Sequence, residues 1–145
     1  MAKVFRMTFT RKLEKRLWPV LVRFDLAPKD IIMLSVRGRK TGRMHSTPVS
    51  PLEWDGQRWL VAPFGEVQWV RNARIAHEVT LSRGGKSETV QIAEANPVEA
   101  APVLKQYITR GWISRPYFDV TPESPLEAFI DEAPRHPVFR ILKIL

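Results

Sequence analysis

Ile31-Ile32-Met33-Leu34-Ser35-Val36-Arg37-Gly38-Arg39-Lys40-Thr41-Gly42 is an apolar run that leaves into a glycine-bounded basic turn. The run predicts a strand over residues 31–37, and the turn sends the chain into a second extended segment. Two glycines permit backbone conformations and close approaches denied to other residues. Arg39, Lys40 and the Thr41 hydroxyl supply donors suited to a phosphate or a carboxylate. By itself such a pentapeptide fits a solvated hairpin tip equally well.

Working outward, further extended patterns cover residues 44–54, 58–63, 78–83 and 86–94, with a closing strand over 137–145. Asp55-Gly56 and Gly84-Gly85 sit between them as hairpin signals, so these strands are expected to be antiparallel neighbours. Pro48 and Pro51 inside the second strand predict a bulge or an edge, because proline cannot donate to a ladder. Helices are expected over 67–75, 97–110 and 125–132. The second has Asn96 as cap, Pro97 at its first position and Glu99 completing a capping box, and Ser124 with Glu127 repeats that logic for the third. Residues 111–122 lack periodicity and read as a long loop of the kind that covers sites. About six mostly antiparallel strands with a few helices make an α+β chain, and closing such a sheet into a small barrel removes its exposed edges.

At 145 residues the chain has the size of one domain with one substantial core, and residues 1–145 are read as such a unit. There is no cysteine, which excludes disulfides, thiolate catalysis and iron–sulfur ligation and fits a reducing cytoplasm. His45, His77 and His136 lie far apart, without metal-ligand spacing. No long apolar segment or signal peptide is visible, so the expectation is a cytoplasmic protein.

The net charge of +8 is unevenly placed. Residues 1–43 hold 12 Lys and Arg against 3 Asp and Glu, whereas the rest holds 11 against 12. No helix-turn-helix, zinc finger or aromatic RNA-binding motif accompanies the excess, which argues against nucleic acid. A funnel for a small polyanion, or a helix facing an anionic membrane, explains the asymmetry better. Residues 1–26 form this basic segment, with a helix expected over 10–24 from the spacing of Leu13, Leu17, Val20, Leu21 and Phe24. Pro19 should kink it, and Trp18 would lie at headgroup level if the segment met lipid peripherally.

The order of motifs carries more than any one of them. The glycine turn is followed by Thr47-Pro48-Val49, then Asp55-Gly56, then Trp59-Leu60-Val61-Ala62, then Trp69-Val70-Arg71-Asn72. This succession resembles the deazaflavin-dependent nitroreductase and quinone reductase family, whose members use coenzyme F420. A weaker echo appears in Arg135-His136-Pro137-Val138-Phe139-Arg140. Two departures stand out: His45 occupies the place where the family usually has an arginine, and the loop Pro63-Phe64-Gly65-Glu66-Val67-Gln68 is shorter, with one glycine where two are usual.

The resemblance implies a split β-barrel and an F420H2-dependent oxidoreductase that passes hydride to a hydrophobic acceptor, a quinone or a nitroaromatic-like compound. F420 carries a phosphodiester and an oligoglutamate tail, and the basic segment complements both. On the family pattern Arg37, Gly38, Arg39, Lys40, Thr41 and Gly42 hold the phosphate region, with His45, Thr47 and Pro48 beyond them. Ala62, Pro63, Phe64 and Gly65 approach the ring, and Trp69 and Asn72 border the crevice. A tyrosine of the C-terminal half donates a proton in some relatives, and Tyr117 is the candidate here. Trp69 is more often a core residue than a cofactor platform, Asn72 reads also as an ordinary helix-surface amide, and a structural loop tyrosine is the favoured reading of Tyr117. Hydride transfer demands little beyond stacking, water exclusion and a proton, so the lack of a triad or carboxylate pair is no obstacle. FMN in the same barrel, a cofactor-free fatty-acid or lipid binder, and either a monomer or a homodimer remain open at this stage.

Overall fold

A computed structural model describes residues 30–111 and 114–145. The expected basic segment 1–26, with its helix, lies outside the described residues. Among the described residues seven strands, β1 (Ile32–Arg37), β2 (Met44–Val49), β3 (Leu52–Trp54), β4 (Gln57–Val61), β5 (Glu78–Arg83), β6 (Lys86–Glu94) and β7 (Val138–Ile144), are joined with three α-helices. The helices are α1 (Gln68–Ala76), α2 (Pro97–Arg110) and α3 (Leu126–Glu132).

All strand pairs are antiparallel, in the order β2-β1-β5-β6-β7-β4-β3. The two end strands of that order, β2 and β3, are joined by Ser50-Pro51 alone. So short a link spans roughly 10 Å at most. The ends of the seven-stranded sheet are therefore brought together at this corner, and the sheet curls into a split barrel. One extended stretch pairs with β1 on one side of the corner and with β4 on the other. The expectation of about six mostly antiparallel strands is met by seven, and the difference lies in one segment. The predicted strand over 44–54 is two strands, because Pro51 has no N–H for a ladder and the chain changes partners there.

Both hairpin signals form. Asp55 and Gly56 have φ of 55° and 71°, Gly84 and Gly85 have 57° and 81°, and the flanking pairs Trp54–Gln57 and Arg83–Lys86 close two-residue turns whose twist matches the strands. α2 begins as expected, with the Asn96 side chain accepting from the Glu99 N–H at 2.9 Å and Glu99 accepting back from the Asn96 N–H. α3 does not: its N-cap is Pro125, without a side-chain cap. Ser124 is engaged elsewhere, its Oγ accepting from the Thr121 N–H at 2.9 Å in a local turn that competes with capping.

Alternation along β4 divides the core. Leu60 and Ala62 face a cluster with Leu34, Val36, Val70, Ala73, Leu81, Ile92 and Phe139, which fills the barrel and seats α1 against it. Trp59 and Val61 face Leu104, Ile108, Phe129 and Val138, where α2 and α3 cover the outside. The strand is thus buried on both faces, and its end delivers Ala62 and the following turn between the two helical layers.

Candidate functional site

The glycine turn is built by its own backbone. The Gly38 N–H donates to the Arg43 carbonyl at 2.7 Å and the Gly42 N–H to the Gly38 carbonyl at 2.9 Å. Arg37 Nη1 donates to the Gly42 carbonyl at 3.1 Å, and the Arg43 N–H to Thr41 Oγ1 at 3.2 Å, which leaves the Thr41 hydroxyl proton to point elsewhere. Gly42 sits at φ 75°. A Cβ on Gly38 would fall 2.8 Å from Nε2 of the exposed His45, which would have to swing aside, and 3.1 Å from the Arg43 carbonyl oxygen, so the space at the first glycine is tight. Lys40 and Thr41 are exposed at the tip.

Asn72 ties this turn to α1. Its side chain is 4% exposed, and Oδ1 accepts from the Arg39 backbone N–H at 3.1 Å and from Arg39 Nη1 at 2.8 Å. Gln68 Oε1 accepts from the same Nη1 at 3.0 Å. Asn72 is therefore a buried clamp rather than a helix-surface amide. Trp69, one turn earlier, packs on the barrel core with its ring centroid 5.7 Å from that of Phe139. Thr47 and Pro48 lie down β2 opposite Leu34 and Met33, with Thr47 roughly 10 Å along the strand from its start at Met44.

A second group forms where β4 ends. The buried Ala62 N–H donates to the Pro137 carbonyl at 2.8 Å, and the Gly65 N–H donates to the Ala62 carbonyl at 3.2 Å, closing the turn Pro63-Phe64-Gly65. Gly65 has φ 96°, and a Cβ there would stand 3.4 Å from the Arg135 carbonyl oxygen. Phe64 meets Tyr117 edge-on, with ring centroids 4.8 Å apart. The aperiodic segment carrying Tyr117 is anchored to α2: Arg115 donates to the carbonyls of Ile108 at 2.8 Å and Thr109 at 3.2 Å, and Tyr107 hydrogen-bonds buried Ser114. Burial pushes the Tyr107 phenol up to about 12, so it remains a neutral strut.

Behind the turn lies a polar network that the sequence reading did not single out. His136 is 3% exposed and Glu132 1%. His136 Nδ1 is 2.8 Å from the Pro63 carbonyl oxygen, Nε2 is 2.7 Å from Glu132 Oε2, and the ring stacks on Phe118 at 3.7 Å. Arg135 donates to Glu132 and, at 2.7 Å, to Asp119, whose own N–H donates to Glu132 Oε2 at 3.3 Å. A carbonyl oxygen only accepts, so Nδ1 carries a proton and donates it to Pro63. The signal available in the sequence was Glu132 and His136 four residues apart, beside the Arg135–Arg140 echo.

Burial is the larger influence on His136 and lowers its pKa, while the bonds to Glu132 and Pro63 oppose it. The unfolded chain therefore takes up its imidazole proton first, near ~6.5, and below that pH the unfolded state binds more protons than the folded one. This group is expected to leave stability unchanged above pH ~6.5 and to erode it as the pH falls further. Melting temperatures recorded between pH 8 and 5 test this, and an equal acid slope in His136→Phe would remove His136 as the cause.

Gln68, whose side chain accepts from Arg39, begins α1 three residues after Gly65, so the glycine turn and the Pro63–Gly65 turn are linked through the start of that helix. A family model for F420H(2)-dependent quinone reductase matches residues 9–121, most of the chain. The chain belongs to that family. It is an F420-dependent reductase, and coenzyme F420 is its cofactor. No curated protein matches significantly. Among solved structures, one described as a domain-swapped dimer covers 93% of this chain and 100% of its own at 17% identity and TM-score 0.58. A protein of unknown function from Agrobacterium tumefaciens covers 97% and 58% at 15% identity and TM-score 0.59. A putative pyridoxamine 5'-phosphate oxidase from Listeria innocua covers 88% and 95% at 12% identity and TM-score 0.53. These likenesses establish the fold shared with this family member.

The residues suit the cofactor's anionic part. The turn presents Lys40 and the Thr41 hydroxyl outward, while Arg39 is held by its fixed partners. Among the described residues no cluster of His, Asp and Glu is arranged for a metal, and no helix is long and apolar enough to cross a membrane.

Proposed function

We propose that this family member delivers hydride from F420H2 to a hydrophobic acceptor of the quinone class, with nitroaromatic-like compounds as surrogates. The Asn72 clamp on Arg39 carries the reading, because it fixes a basic, glycine-bounded turn against the helix that follows the ring-side turn. In this reading Arg39, Lys40 and Thr41 hold the phosphate region, and Arg37 braces the turn from behind through the Gly42 carbonyl. Ala62, Pro63 and Gly65 offer backbone to the ring, and Phe64 forms a wall. When bound, the deazaflavin supplies the hydride. The protein's share is to stack donor and acceptor in reach and to exclude water. Tyr117, edge-on to Phe64, is the nearest phenol to this turn and is assigned the proton for the reduced acceptor.

Titration with F420 and, in parallel, FMN, followed by tryptophan fluorescence, tests the reading. Saturable binding of F420 in preference to FMN supports it; binding of neither would move the barrel to the lipid-binding alternative. Lys40→Glu is expected to weaken F420 by ~1.5–3 kcal/mol with an unchanged melting temperature, since the substitution reverses a charge on an exposed tip. An unaltered Kd would remove Lys40 from the site.

A further inference from the structure

The Glu132–His136 pair takes no part in holding the phosphate end, and it is more deeply buried than any other ionisable pair described here. Burying two such groups is costly unless the arrangement does something that an apolar pair would not. Its geometry shows what it does. The imidazole is gripped at both ends, by Glu132 on Nε2 and by the Pro63 carbonyl on Nδ1, and is stacked flat on Phe118. Its plane and position are fixed, and the one backbone group it reaches lies in the turn that precedes Phe64 and Gly65. The Arg135 carbonyl oxygen lies against the same turn, 3.4 Å from where a Cβ on Gly65 would stand. Phe118, beneath the ring, directly follows Tyr117. One buried side chain thus sets the relative placement of the Pro63–Gly65 turn and the Tyr117 segment, which are far apart in sequence.

We propose that His136, oriented by Glu132, is a positioning residue that holds the Pro63 carbonyl and thereby fixes the ring-side wall of the cofactor site. The proposal rests on the reading that the Pro63–Gly65 turn borders the deazaflavin ring. It assigns no bond-making step to His136, which touches neither cofactor nor acceptor. The charged groups facing the imidazole are Glu132 and, across that carboxylate, Arg135 with its partner Asp119.

Two amide substitutions separate positioning from bulk stability. In His136→Asn the side-chain NH2 lies where Nδ1 stands and keeps the bond to Pro63, while the link to Glu132 is lost. In His136→Gln the amide reaches Glu132 and the bond to Pro63 is lost. Both forfeit the ring stacked on Phe118. The 145-residue protein and both variants are titrated with F420 and with its phosphate-free fragment, in which the deazaflavin ring carries a ribityl chain but neither phosphate nor tail, and each is melted to establish that it is folded. His136→Gln is expected to lose about 10-fold in affinity for both probes, the worth of one hydrogen bond, while His136→Asn stays within about 3-fold of the parent. Lys40→Glu, by contrast, should weaken F420 and leave the phosphate-free fragment unaffected. Equal losses in the two amide variants, or none in either, would overturn the positioning role. Failure of the parent protein to bind F420 would overturn the site reading on which it rests, a result distinguishable from the first. Should His136→Gln not fold, His136→Phe combined with Glu132→Leu removes the same bond without stranding a buried carboxylate, and carries the same expectation.

Discussion

Glu132→Ala is expected to lower the unfolding free energy by about 2–4 kcal/mol, since it strands the Asp119 N–H and His136 Nε2 and each buried polar group left unsatisfied costs about 1–3 kcal/mol. Glu132 is 1% exposed on the last turn of α3, and three groups converge on its carboxylate: Arg135, His136 Nε2 and the Asp119 N–H. Truncation leaves the imidazole nitrogen facing a void and the 118–119 segment without its anchor. The loss should appear as a fall in the urea midpoint at unchanged slope, because the folded surface is otherwise the same. Glu127 on the same helix is exposed, and Glu127→Ala serves as the control, with an expected change within about 0.5 kcal/mol. A loss below about 1 kcal/mol in Glu132→Ala would mean that the network is not what fixes this corner.

Asn72→Ala is expected to weaken F420 binding by about 1–2 kcal/mol, since the carboxamide that holds two Arg39 donors in place is lost and ordering a rotamer-rich side chain on binding costs about 0.5–1.5 kcal/mol. The two donors are the Arg39 backbone N–H and Nη1, and both converge on one carboxamide oxygen. Without it the turn loses its tie to α1, and a guanidinium that was pre-oriented must be ordered by the ligand itself. The measurement is the F420 Kd alongside a thermal melt. Destabilisation with an intact Kd would make Asn72 a purely structural clamp. Retention of affinity in Asn72→Asp, whose carboxylate accepts the same two bonds, would show that the acceptor matters rather than the amide.

Local chemistry made much of this fold legible. Asp55-Gly56 and Gly84-Gly85 form their hairpins because few other dipeptides tolerate positive φ at both positions. Asn96, Pro97 and Glu99 start α2 at the expected residue because every bond of a capping box lies within four positions. Ser124 shows the limit. It has the right spacing for a cap, yet its hydroxyl accepts from Thr121, and the sequence cannot rank two local acceptor geometries of nearly equal strength. Pro48 and Pro51 signalled an irregular second strand, but that its two halves pair with opposite ends of one sheet depends on which strands close the barrel.

The candidate site divides the same way. The basic turn, its glycines and the order of motifs that resembles the family were readable in the chain, because they are contiguous or evenly spaced. That Asn72 reaches back 33 residues to Arg39, that Trp69 belongs to the core beside Phe139, and that Tyr117 stands against Phe64 came only from packing. Glu132 and His136 were the least visible of all. Their burial and their hold on Pro63 arise from the meeting of α3, the Ala62 turn and the 114–119 segment, which are joined by no sequence periodicity. The sequence by itself determined the strands, the tight turns, the α2 cap and the basic anion-suited loop, since each is set by backbone preference or charge within a few residues. Barrel closure and the placing of the turn behind a buried imidazole were decided by tertiary structure alone, because both depend on side chains from distant segments filling one shared volume.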